Sequence, residues 1–120
     1  ALKSENFRQI VDTAEYVIPE SATGKEHKLK TTNLLIYEST GNSLYYPRAT
    51  GVKTGYTSAA GRCLVATAED DGIRFLSVLC GAKTTILESG DLLMESFPET
   101  IKLLDYGFDN YSYVTALSPL

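Results

Sequence analysis

No run of lysine or arginine occurs in this sequence, the formal net charge is −4 and the pI is about 4.9. That balance excludes nucleic acid as a natural partner. No apolar run approaches the roughly 20 residues needed to cross a bilayer, and no basic amphipathic helix offers membrane-surface binding. No secretory leader is visible. The chain opens at Ala1, without methionine, in what reads as the middle of a helix. A processed product or excised fragment is expected, so the missing leader says little about location. Histidine is nearly absent. His27 stands alone in a polar turn, with no second histidine and no cysteine near it, and is read as exposed rather than as a ligand or base. No metal or other cofactor is expected.

Cysteine is scarce too. Two cysteines make no disulfide framework, and their spacing fits no zinc motif. Their positions still carry information. In "TAEDDGIRF", Asp71-Gly72 separates two apolar runs, a strong two-residue hairpin signal. If those two residues form the turn, Cys63 lies directly opposite Cys80 in a close, non-hydrogen-bonded pair. The geometry permits a cross-strand disulfide. The alternative is two buried free thiols acting as small hydrophobes.

What remains is an ordinary globular composition. The 120 residues are 43% hydrophobic and 22% charged, enough for one domain and too few for two. Residues 2–11 bring Leu2, Phe7, Ile10 and Val11 near one helical face. "AEYVIPE" reads as a short strand stopped by Pro19, and "SATGKEHK" as a polar turn. "TTNLLIY" is apolar but ambiguous in type. Residues 38–50 form a long irregular connection, of the kind that is often functional. Within it Tyr45 and Tyr46 either wall a cleft or simply pack. Strands are predicted at 51–56, 62–69 and 73–80. The last two are nearly continuous in apolar or small residues, so both faces should be covered. After Gly81 the pattern turns helical, with Leu93, Phe97, Ile101, Leu104 and Phe108 as a core-facing stripe. Ser96-Phe-Pro-Glu99 fits a capping box, and the helix is expected to end near Gly107. The tail "YSYVTALSPL" reads as strand-like or extended. These elements imply an α+β fold: a mainly antiparallel sheet packed with helices. Four or so strands and two helices hardly cover a sheet, so part of the cover is expected from elsewhere.

Residues 53–55, Lys-Thr-Gly, match the third motif of the serine penicillin-recognising enzymes. The wider stretch "GVKTGYTSAAGRCLVATA", the hairpin, "LSVLCGAKT" and "LLDYGF" resembles the low-molecular-mass D-alanyl-D-alanine carboxypeptidases, the S11 peptidase family. The resemblance implies an incomplete β-lactamase/transpeptidase-like domain. Residues 1–108 would be the C-terminal half of its catalytic domain, and 109–120 a tail leading out of it. The motif also has a physical sense of its own. Gly55 lets a ligand backbone lie close to the strand, whose free polar groups can hold a peptide as an added strand. Lys53 supplies a positive charge for a carboxylate and Thr54 a hydroxyl donor. By resemblance the backbone N–H of Tyr56 completes the oxyanion hole, a kind of donor typically worth about 3 kcal/mol of barrier.

The rest of the family's machinery is not in this sequence. No serine has a lysine three residues later, so no nucleophile or base can be assigned. Ser4-Glu5-Asn6 matches Ser-x-Asn formally but lies far too close to Lys53, and Ser4 is read as helix surface or cap. Relatives commonly carry an arginine shortly after the hairpin to hold the substrate carboxylate; here none follows Arg74, and Lys83 is the candidate substitute. Arg62 and Arg74 are read as solvated strand-end charges, and Asp70 and Asp71 as turn formers. "LESGDLLMES" is expected to hold an extra loop or helical turn.

The resemblance thus implies part of a serine carboxypeptidase of the cell envelope, trimming peptidoglycan stem peptides and acylated by β-lactams only when complete. The isolated chain would bind its missing half or self-associate. Two alternatives stay open: a non-catalytic binding or assembly module, and another penicillin-recognising enzyme such as a β-lactamase or transpeptidase.

Overall fold

The structure, a computed structural model, describes residues 1–114 and 116. Ser4 sets the first element. Its backbone is extended and its hydroxyl accepts the Phe7 N–H at 3.4 Å, so helix α1 (Glu5–Val11) begins there. The helix therefore starts after Ala1 rather than running through it, and Ser4 is its cap. Strand β1 (Glu15–Ile18) stops at Pro19 and pairs antiparallel with β2 (His27–Lys30). His27 thus opens a strand instead of lying in the turn, though it remains exposed, as does every residue of this hairpin. The ambiguous apolar stretch resolves into a 3-10 turn, Leu34–Ile36, because Asn33 accepts the Leu35 N–H at 3.2 Å and caps it.

The central sheet is β3 (Ala49–Thr57), β4 (Gly61–Asp70) and β5 (Ile73–Ala82), antiparallel and in that order. Asp71 (φ 48°) and Gly72 (φ 77°) make the expected hairpin turn, and the register runs from Asp70↔Ile73 to Leu64↔Leu79. There a bulge intervenes and Arg62 pairs with Ala82. The bulge takes Cys63 out of its expected place opposite Cys80. Both thiols are free, Cys63 half-buried and Cys80 exposed, so neither is the buried hydrophobe of the alternative reading. The neighbouring Cys63 thiol pushes the Cys80 pKa up, while its own hydrogen bonds run to the Ala60 and Gly61 carbonyls.

The next stretch departs from the helical expectation. Residues 84–94 form a further hairpin, β6 (Thr84–Ile86) with β7 (Leu92–Met94). Gly90 (φ 87°) permits its turn, and Leu87 N–H donates to Asp91 O at 2.8 Å. Helix α2 runs over Ser96–Asn110. Its cap residue is Glu95, whose side chain makes no capping bond. The predicted capping box therefore does not form: Ser96 is already helical, and Glu99 is drawn to Lys102 at 2.8 Å. Gly107 does not end the helix. It lies within α2 where a Cβ would sit 3.2 Å from the Phe75 ring, so glycine is there for close approach to β5. Residues 111–114 form no strand, and the rest of the expected tail strand lies largely outside the described residues.

α2 packs on β4 and β5, burying Phe97, Thr100 and Leu104 over Leu64, Ala66 and Ala68. Alternation along the strands sends Val65, Thr67, Leu76 and Val78 to the opposite face. That face is only partly covered, by α1 against β3, and Leu76 and Val78 are 56% and 62% exposed. The expectation of two covered faces thus holds for one. The radius of gyration is 17.3 Å, against about 13–14 Å for a compact domain of this length. The long connection into β3 is tied down by Tyr46, which is buried and donates to Asp105 Oδ1 on α2 at 2.7 Å. Arg48 beside it pairs with Asp70 at 2.7 Å and lies over the Phe108 ring at 4.8 Å. Tyr46 therefore packs rather than walling a cleft. Burial, then the Asp105 carboxylate, pushes its pKa up to about 12.

Two stability predictions follow from these contacts. Helix propensity alone would make Gly107→Ala stabilising by about 1 kcal/mol. Phe75 is held edge-on by Phe108 at 4.9 Å and has little room to yield, so a net loss of about 1 kcal/mol is expected in urea unfolding; a gain would contradict the packing. Tyr46→Phe should cost about 1 kcal/mol near neutral pH. The raised phenol pKa means that its contribution is intact below pH 10 and lost as pH rises toward about 12. The stability difference between wild type and Tyr46→Phe should therefore shrink across that window and stay level below it.

Candidate active site

β3 is one of the two edge strands of the central sheet, and the Lys-Thr-Gly segment lies on it. The register Lys53↔Val65, Thr54↔Leu64 and Tyr56↔Arg62 sorts the side chains. Thr54, Tyr56 and Arg62 share the face on which α2 and the β6–β7 hairpin lie, while Lys53 belongs to the open face with Val65 and Val78. Lys53 curls round the edge, and its Nζ donates to the neighbouring Thr54 carbonyl at 2.6 Å. A cleft of about 530 Å³ collects Lys53, Thr54, Gly55 and Tyr56, with Thr32 on one wall and Arg62 on another. Two cations and no acid line it.

Each group is held by something specific. The Thr54 hydroxyl shares a hydrogen bond of 2.6 Å with the Thr32 hydroxyl. Arg62 lies over the Tyr56 ring at 4.4 Å, and its Nε donates to Thr84 Oγ1 at 3.1 Å. Gly55 has open space: a Cβ there would meet only Cys63 Cβ at 3.9 Å, an ordinary contact. Nothing among the described residues therefore demands glycine at 55. Tyr56 begins the exit from the strand toward the turn at 58–60, where Ala60 N–H donates to Thr57 Oγ1 at 3.0 Å.

The four residues expected at the site thus lie together. Lys83 lines a neighbouring depression between the 57–61 turn and Gly81, and not the Lys53 cleft. Arg74 is spent on Glu69 at 2.5 Å, at the far end of the sheet beside α1. Arg62 is the correction: it is half-buried in the cleft, not a solvated strand end. Sequence reading also missed Thr32, which sits in the ambiguous segment before the 3-10 turn. The signal for Arg62 was present, because pairing β3 with β4 across the short turn puts it opposite Tyr56. Among the described residues no helix is long and apolar enough to cross a membrane.

The chain is 34% identical to the D-alanyl-D-alanine carboxypeptidase DacF of Bacillus subtilis over 92% of its length, which is 24% of that protein. It is 41% identical to DacC of Escherichia coli over 58% of the chain and 15% of that protein. The chain thus spans a quarter or less of these curated relatives. The DD-transpeptidase of Streptomyces K15 superposes over 90% of the chain and 37% of its own, with a TM-score of 0.68 and 27% identity. This places the chain within part of the DD-transpeptidase fold. Residues 7–84 match the sequence model of peptidase S11, D-alanyl-D-alanine carboxypeptidase, and the chain belongs to that family.

Proposed function

We propose that this chain supplies the substrate-holding wall of a serine D-alanyl-D-alanine carboxypeptidase that trims peptidoglycan stem peptides through an acyl-serine intermediate. The observation that carries the reading is an accessible edge strand whose Lys-Thr-Gly faces a cleft with two cations and no acid. A peptide pairs with the outer edge of β3 as an added strand. Lys53 draws its terminal carboxylate and the Thr54 hydroxyl donates to it. The space at Gly55 admits the peptide backbone, and the Tyr56 N–H stabilises the oxyanion as it develops.

The nucleophile and its base come from outside these 120 residues, since no serine here precedes a lysine by three positions. The other half of the domain docks on the face that exposes Leu76 and Val78, which is the face of Lys53. Residues 1–108 belong to the catalytic domain and 109–120 lead out of it. Without its other half the chain self-associates through the same apolar face. The complete enzyme works in the bacterial cell envelope, outside the cytoplasmic membrane, and is acylated by β-lactams. It requires no metal or cofactor.

The absence of a nucleophile from these residues also favours a second reading, a non-catalytic module that keeps the peptide-holding wall. A fluorescent penicillin separates the two. The full-length protein should be labelled, the 120-residue chain alone should not, and Lys53→Ala should slow release of D-alanine by about 100-fold, as expected for a lost hydrogen-bonded ion contact. A full-length protein that takes no label supports the module; label on the isolated chain overturns both.

A further inference from the structure

The reading of Lys53 leaves two thiols without a role. We infer that Cys63 and Cys80 form a modification site, a thiol pair that an external disulfide oxidises to a covalent link between β4 and β5. The register brings them together. Leu64 pairs with Leu79 and Arg62 with Ala82, so at the bulge Cys63 alone faces the Cys80-Gly81 step of β5. Leu64 is buried under α2, and its neighbour Cys63 therefore leaves the sheet on the open face. Cys80, next to Leu79, leaves on the same side. Facing residues on antiparallel strands lie about 4.5–5.5 Å apart at Cα, inside the span of about 4.4–6.8 Å that a disulfide bridges. The bulge offsets the two cysteines without parting them: the Cys63 thiol still tightens the hold of Cys80 on its proton.

The chemistry is thiol–disulfide exchange. Cys80 is exposed and meets the external disulfide first. Its thiol loses a proton to water, and the thiolate attacks one sulfur and expels the other, which takes up a proton. Cys63 is half-buried beside it. Its thiol now donates to the Ala60 carbonyl at 3.6 Å and the Gly61 carbonyl at 3.9 Å, long contacts that rotation about the Cα–Cβ bond gives up. It then loses its proton and attacks the Cys80 sulfur of the mixed disulfide, and the second external thiol leaves. Two cysteines are oxidised, and one external disulfide is reduced to two thiols. On its other side Cys63 pairs with Gly55 of the Lys-Thr-Gly segment. The link therefore staples the strand that backs this segment to the next one, closing a loop of about 17 residues in the unfolded chain.

The test treats the full-length protein with oxidised glutathione or with dithiothreitol, blocks free thiols with iodoacetamide and digests with trypsin. Cleavage after Arg62, Arg74 and Lys83 puts the two cysteines on separate peptides, 63–74 and 75–83. In oxidised monomer those peptides should be joined, two hydrogens lighter than their sum, with the alkyl label lost from both cysteines. Dithiothreitol should restore the label. The oxidised protein should melt about 5 °C above the reduced one. Cys80→Ser should abolish the joined peptide and the shift, and Cys63→Ser should do the same while leaving glutathione on Cys80. Wild type that keeps both labels under oxidant overturns the assignment. Glutathione on both cysteines without a joined peptide also overturns it, because the thiols then do not reach each other. So does a joined peptide found only in covalent dimers. A joined pair that melts no later than the reduced protein overturns the staple. None of these results bears on Lys53, so the two readings fail separately.

Discussion

The pairing register between β3 and β4 is the constraint on which the site depends. Lys53↔Val65, Thr54↔Leu64 and Tyr56↔Arg62 decide which side chains face α2 and which face the open side. A slip of one residue would exchange them: Lys53 would turn under the helix and Thr54 would leave Thr32. The register is pinned from two directions. Leu64, Ala66 and Ala68 must meet Phe97 and Leu104 beneath α2, and the short turn between Thr57 and Gly61 leaves little freedom at the end of the hairpin. Gly61, at φ 67°, accommodates that turn where a Cβ would lie 3.1 Å from the Gly81 backbone.

The same sheet divides the molecule into a finished side and an unfinished one. Small alanines on β4 let α2 approach, and Gly107 brings it onto Phe75, so one face is buried and close-packed. The other face carries Val65, Leu76 and Val78 with only α1 near one end. Lys53 originates on that open side and turns round the strand edge to the cleft. The Arg48–Asp70 ion pair and the Tyr46–Asp105 bond lie away from the cleft and tie the entry of β3 to α2 and the end of β4. The Lys-Thr-Gly residues thus sit on an edge whose far end is fixed, beside a cleft that stays open.

Local signals were read well where they act over a few residues. Asp71-Gly72 specifies a turn with two positive φ values, Pro19 ends β1, and the Phe97–Leu104 stripe has the helical period. Failures came where two local readings competed. Leu93 fits the helical stripe, yet Gly90 and the β6–β7 pairing make its segment a strand. Ser96 and Glu99 have capping-box spacing, but the helix begins one residue earlier than that motif requires. Gly107 resembles a helix stop because glycine ends helices often, whereas its real role is contact with a ring thirty-two positions away in sequence.

The amino-acid sequence by itself determined the hairpin, the two helices, the α+β class and the Lys53-Thr54-Gly55-Tyr56 group, because turn chemistry, periodicity and a contiguous motif are properties of near neighbours. Only the tertiary structure decided that Arg62 and Thr32 join that group, that Lys83 does not, and that a bulge displaces Cys63 from Cys80. The physical reason is distance along the chain. Thr32 meets Thr54, and Arg62 meets Thr84, across 22 residues, and Tyr46 meets Asp105 across 59. Such contacts exist only once the register and the packing of α2 have been chosen, and a single bulged residue is enough to change them.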